Sequence, residues 1–88
     1  MFPNKAVIDI GNERRKQDKK WGEQNHDPIV WVAILMEEVG ELAQAAIETR
    51  FVDMGKHGGI ENVREEAVHV AAVAVAFVES LDRDKEMK

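Results

Sequence analysis

Residues 31–46 read Trp-Val-Ala-Ile-Leu-Met-Glu-Glu-Val-Gly-Glu-Leu-Ala-Gln-Ala-Ala, and this stretch decides the fold. Its apolar side chains recur at intervals of three and four residues, which is the period of a helix face packed on a core. The members of this stripe are Trp31, Leu35, Val39, Leu42 and Ala46. The stretch therefore predicts a long core-forming helix, running from about Pro28 to Phe51.

Cap signals predict one helix on each side of it. Asn4 is suited to cap a first helix that runs to about Lys20, and Asp27-Pro28 looks like an N-cap followed by proline at the first helical position. Glycines in residues 53–59 indicate a turn, and a third helix is predicted from about Ile60 to Asp82. The tail beyond Asp82 is expected to fray.

The alternating stretch at residues 70–76 could pass for a strand, but its alanines favour a helix. The predicted class is all-α, with three main helices. The second and third would form an antiparallel pair that builds a four-helix-bundle-type core on dimerisation.

Composition limits the possible functions. The 88 residues, with no cysteine and a net charge of −5, make a single domain, residues 1–88. A chain this short buries only about 60–65% of its unfolded surface, so helix packing across a homo-oligomer interface is expected. The negative charge argues against nucleic-acid polymers as partners. Without a signal sequence or a membrane-spanning run, a soluble cytoplasmic protein without a membrane partner is expected.

The most unusual feature is the number of carboxylates in apolar helices. At about 100° per residue, Glu38 and Glu41 border the apolar stripe, whereas Glu37 falls further toward solvent. Glu66 lies within about 20° of Val73, so it points into the core, and His69 follows one turn later. Residues three apart on a helix are neighbours, so 38/41 and 66/69 form two pincers that antiparallel packing would bring face to face.

Two interpretations of these carboxylates remain open. Glutamates on a helix are usually a solvated face, and an arginine such as Arg50 or Arg64 could neutralise Glu66. Alternatively, the acidic groups hold a divalent metal, because uncompensated buried charge is costly. Three or four oxygen ligands suit Mg²⁺ or Mn²⁺.

The spacing of the two motifs resembles the MazG-like family of all-α nucleoside triphosphate pyrophosphohydrolases. The resemblance covers about residues 29–81, and the preceding Trp-Gly-Glu-Gln-Asn-His at 21–26 is similar to small phage and bacterial members. It implies cleavage between the α and β phosphates to give a monophosphate and pyrophosphate, with Mg²⁺ as cofactor and Mn²⁺ as substitute. It also implies assembly as a homodimer or a dimer of dimers. By position, Glu38, Glu41 and Glu66 would be metal ligands, with Glu37 near the attacking water.

One position departs from the family pattern. The last ligand of the second motif is aspartate in the family, and here it is His69. Imidazole binds Mn²⁺ but is a poor ligand for Mg²⁺, and it removes one negative charge. His69 could therefore alter the metal or weaken catalysis, or it could be a core histidine without a metal role.

Residues beside the first helix are candidates for substrate binding. They are Lys19, Trp21, Gln24 and Asn25. The basic run from Arg14 to Lys20 could grip a triphosphate or could be a solvated face. Trp21 could stack on a base or plug the core.

Two other function classes remain open. A Glu-x-x-His motif is also found in di-iron carboxylate bundles. A catalytically silent helical dimer that binds a nucleotide or a protein is the other alternative.

Overall fold

The computed structural model describes residues 4–51 and 59–87, with side chains as far as Asp84. It contains α1 (Lys5–Trp21), α2 (Pro28–Phe51) and α3 (Gly59–Met87), and these ranges contain no strand. The all-α class and the helical interpretation of residues 70–76 are confirmed. Most of the predicted glycine turn, residues 53–58, lies outside the described residues.

The predicted caps fix where the first two helices begin. The Asn4 side-chain oxygen accepts the backbone N–H of Val7 at 3.0 Å, and the Asp27 carboxylate accepts that of Ile29 at 2.9 Å. Each bond satisfies a backbone donor that the first turn of a helix leaves unpaired. At the end of α1, Gly22 adopts φ 75°, a conformation open to glycine.

The third helix extends to Met87, five residues past its predicted end near Asp82, and fraying of this tail stays a prediction. The Arg83 guanidinium donates to the Gln24 carbonyl at 3.0 Å and to the Asn25 side chain at 2.9 Å. These bonds dock the last turns of α3 on the α1–α2 loop. Ser80, one turn earlier, is buried. Local sequence does not reveal these tertiary contacts.

The third helix packs against both other helices. Trp31 packs on Val73 and Ala76 in a core that Phe77 joins by stacking on the Trp31 ring at 5.8 Å. Glu38, further along α2, lies beside the earlier α3 residue Glu66, so the two helices are antiparallel. Trp31 is only 2% exposed, as the stripe predicted. The last member of the predicted stripe, Ala46, is exposed and does not join the core.

The other end of the core face of α2 is formed by Ala45, which is buried. A strict 3–4 spacing drifts around the helix over several turns, and here the drift turns Ala46 away from α3.

Ion pairs hold α1 alongside α3. Asp9 accepts from Arg64 at 2.9 Å, and the Arg14 guanidinium donates to Glu79 at 2.6 Å. The sequence numbers of these partners rise together, so α1 runs parallel to α3. Among the described residues, no helix is long and apolar enough to cross a membrane.

Candidate metal centre

Three predicted ligands meet between α2 and α3. Glu38, Glu66 and His69 each offer one ligand atom, and these atoms lie within 4.8 Å of one another. Glu38 follows Trp31 by seven residues, and Glu66 precedes Val73 by seven. A seven-residue step is two helical turns, so the cluster occupies the layer next to the aromatic core.

One oxygen of the Glu38 carboxylate lacks a hydrogen-bond partner, although the carboxyl group also interacts with that of Glu41. The Oε2 atom of Glu38 is buried and has no hydrogen-bond donor among the described residues. Burial raises the pKa of the Glu38 carboxyl, and the charge of Glu41 raises it further. Both causes disfavour an isolated negative charge at this point. A divalent cation would satisfy the unpaired oxygen and offset both effects, so this donor set fits a metal ion.

The imidazole of His69 lies between two carboxylates. Its Nδ1 is 3.1 Å from Oε1 of Glu66, and its Nε2 is 3.8 Å from Oε1 of Glu13. Glu13 belongs to α1 and was missed by the sequence analysis, which treated α1 mainly as a basic helix. A signal was present, because Ile10-x-x-Glu13 repeats the border of apolar and acidic residues seen at Leu35-x-x-Glu38.

In the part of the chain that the structure describes, neither Arg50 nor Arg64 forms the predicted ion pair with Glu66. Arg64 pairs with Asp9, and the Arg50 guanidinium lies over the Phe51 ring at 5.6 Å. Glu66 is 16% exposed, and its close neighbour is His69. Its burial and its neighbours therefore favour a cation ligand over a structural ion pair with arginine.

The cluster lies in a cleft of about 360 Å³ formed by all three helices. Besides the three ligands, Glu41, Lys20, Trp21 and Gln24 line this cleft. Trp21 is 56% exposed, so the interpretation of Trp21 as a core plug is wrong. The Lys20 ammonium lies 5.0 Å from the centre of the Trp21 ring. The cleft thus combines carboxylate groups, the Lys20 ammonium group and the exposed Trp21 ring.

Three other predicted residues do not line this cleft. Glu37 and Lys19 are exposed on their helices. Asn25 lines a larger cavity of about 670 Å³ beside Arg83, at the end of α3 that is remote from the cluster. That cavity contains none of the three clustered ligands, so we place the functional site in the smaller cleft.

The basic residues of α1 have different surroundings at the two ends of the run. Arg14 joins α1 to α3, whereas Lys20 is the lysine of the run that reaches the cleft. The run is therefore partly structural, and Lys20, at its end, is the part of it that lines the cleft.

No family model matches this chain, and no significant match was found among curated proteins or solved structures. The resemblance to MazG-like enzymes therefore depends on the sequence motifs alone.

Proposed function

We propose that this protein is a metal-dependent nucleoside triphosphate pyrophosphohydrolase. The observation that carries the proposal is the cluster of Glu38, Glu66 and His69, in which one buried carboxylate oxygen lacks a donor. Mg²⁺ or Mn²⁺ is the cofactor expected from carboxylate ligands. When bound, the cation neutralises phosphate oxygens and favours ionisation of water.

The other side chains of the cleft suit a nucleotide. The Lys20 ammonium can pair with phosphate oxygens, and the exposed face of Trp21 can stack on a base. Gln24 offers a donor and an acceptor to a base edge. The cleft volume of about 360 Å³ is within the range of small-ligand sites.

The reaction requires a proton acceptor near the attacking water. Water attacks phosphorus, the bond to the bridging oxygen between the α and β phosphates breaks, and one proton passes to a base. Glu41 lines the cleft and can either help to hold the cation or accept this proton. Glu37, which the motif resemblance places near the water, is on the exposed side of α2.

A second part of the proposal is a homodimer formed through the outer face of α2. Exposed apolar or small residues cover this face, with Ile29 80% and Phe51 75% exposed. The set is Ile29, Val32, Ala33, Met36, Gly40, Ala43, Ile47 and Phe51. Trp31 and Glu38 point roughly 160–180° away from Ile29 on the helical wheel, so α2 is apolar on two opposite sides.

A helix that is apolar on two sides needs a partner on each. In the described residues only five apolar side chains are buried, which is a small core for a monomer of this length. A second copy of the chain, pairing its own α2 face, is the occupant we propose.

Activity is tested by incubating the protein with common and modified nucleoside triphosphates and Mg²⁺ or Mn²⁺. We expect a monophosphate and pyrophosphate, and we expect Glu38→Gln or Glu66→Gln to abolish their release. Glu65→Gln is the matched control, because it removes the same charge from the exposed neighbour of Glu66. If no nucleotide releases pyrophosphate with either metal, the proposed enzymatic activity is contradicted.

Two outcomes would favour the alternatives. Nucleotide binding without turnover would favour a silent binding domain, and iron with charge-transfer absorption would favour a di-iron bundle.

The dimer is tested by the mass in solution. Met36→Glu places a charge in the middle of the outer face and should give monomers. Ile8→Glu, a similarly exposed apolar position on α1, should leave the dimer intact. A monomeric wild-type protein, or a Met36→Glu variant that remains dimeric, would contradict this interface.

A further inference from the structure

Glu13 brings α1 to the metal centre. Its side chain is 19% exposed, and its Oε1 lies 3.8 Å from Nε2 of His69, on the side of the ring opposite Glu66. Of the cluster's immediate neighbours described above, Glu13 is the one supplied by α1. Its position therefore requires a separate explanation from the motifs in α2 and α3.

Glu13 is held in place by the packing of α1 on α3. Asp9, one turn earlier, pairs with Arg64, and the adjacent Arg14 donates to Glu79. Both ion pairs join the same two helices, on either side of Glu13. The packing of α1 on α3 therefore sets the position of Glu13 beside the imidazole, and the same Oε1 atom also lies 3.8 Å from the Lys16 ammonium.

A histidine can ligate a metal only through an unprotonated ring nitrogen. Metal-bound histidines usually donate the other ring N–H to a carboxylate, which fixes the tautomer and makes the ligand more basic. In this site, Nδ1 lies 3.1 Å from the Glu66 carboxylate, whereas Nε2 faces Glu13. A carboxylate accepts hydrogen bonds, so without a cation this contact holds the ring proton on Nδ1, and a cation bound at Nδ1 would move that proton to Nε2. A hydrogen bond from Nε2 to the Glu13 carboxylate would form if their distance of 3.8 Å shortened by roughly 1 Å.

We propose that Glu13 is the positioning residue for His69: it accepts the Nε2 proton and so turns Nδ1 toward the cation. This inference rests on the metal centre of the proposed function. The Glu13–His69 pair carries the single negative charge that one aspartate would carry. Through Glu13, α1 thus supplies the negative charge that is lost where His69 takes the place of an aspartate in the second motif. With one imidazole ligand, the site should prefer Mn²⁺ to Mg²⁺.

Binding of Mn²⁺ to the purified protein, measured from the free-ion paramagnetic resonance signal, tests this role without any turnover. Glu13→Met removes both acceptor and charge and should weaken binding about tenfold or more. Glu13→Gln keeps an acceptor oxygen and should lose less. Glu65→Gln, the control for lost charge, should change affinity less than about twofold. Unaltered binding in Glu13→Met would overturn the proposal.

The same substitution in a His69→Asp background separates positioning from general charge or folding. Without the imidazole, Glu13→Met should change Mn²⁺ affinity less than about threefold. An equal loss in both backgrounds would show that Glu13 does not act through His69. Wild-type protein that binds no Mn²⁺ would instead contradict the metal centre itself.

The protonation of the ring gives a second readout. In protein loaded with diamagnetic Zn²⁺, nitrogen–proton correlation spectra should show the His69 proton on Nε2. Glu13→Met should broaden this signal or shift it toward a mixture of tautomers. A proton on Nδ1 in the loaded wild-type protein would overturn the proposal.

Discussion

The two neighbouring layers of the α2–α3 pair use the same helix positions for opposite purposes. In one layer, Trp31 packs on Val73 and Ala76 and is almost fully buried. Seven residues away on each helix, the equivalent positions are occupied by Glu38, Glu66 and His69. Helical geometry points both sets inward, so the difference between them is chemical and not conformational.

The aromatic layer stabilises the fold, whereas the acidic layer is a cost unless a cation is bound. Burial and Glu41 raise the pKa of Glu38, and its Oε2 has no donor in the described residues. Proteins tolerate such groups where function requires them. The contrast predicts that substitutions in the two layers change stability in opposite directions.

The largest effect is expected in the aromatic layer. Trp31→Ala removes the central ring of the core and should lower the free energy of unfolding by about 3–5 kcal/mol, enough to unfold a domain this small. Chemical denaturation followed by circular dichroism measures it. Trp21→Ala is the matched control, because its ring is exposed, and should cost far less. Similar losses in both variants would contradict the assignment of the core.

An intermediate effect is expected when a metal is added. Mn²⁺ at about one hundred times its dissociation constant should stabilise the wild-type protein by about 2.7 kcal/mol, because it binds the folded state only. Glu38→Gln and Glu66→Gln should lose this stabilisation, as seen in thermal unfolding. Glu65→Gln should retain it. A metal-dependent shift that persists in Glu38→Gln would place the cation elsewhere.

The smallest effect is expected without metal and depends on pH. The raised pKa of Glu38 means that the folded protein holds this proton more tightly than the unfolded chain does. Its contribution to stability is therefore present below the ordinary value of 4.5 and is lost as pH rises through the raised pKa. Glu38→Gln does not titrate, so its advantage over wild type should grow across that range. Parallel stability curves would contradict this.

Much of the fold followed from local signals in the sequence. Asn4 and Asp27 marked the starts of two helices, and the stripe around Trp31 identified the core face. The end of α3 did not follow, and near this end Arg83 contacts a loop that is distant in sequence. Capping is a property of adjacent residues, whereas docking depends on how whole helices pack.

The site divides in the same way. Glu38, Glu66 and His69 were found because they interrupt apolar faces of two helices joined by a short segment. Glu13 was missed because its place beside His69 depends on how α1 lies along α3. The ion pairs that set this position join residues more than fifty apart, and no local pattern reveals such pairings.

The proposed metal centre is tested most directly by anomalous diffraction from crystals of the protein grown with Mn²⁺. We expect a manganese peak between Glu38, Glu66 and His69, with ligand atoms roughly 2.0–2.3 Å from it. Well-ordered side chains at these three positions with no peak between them would contradict it.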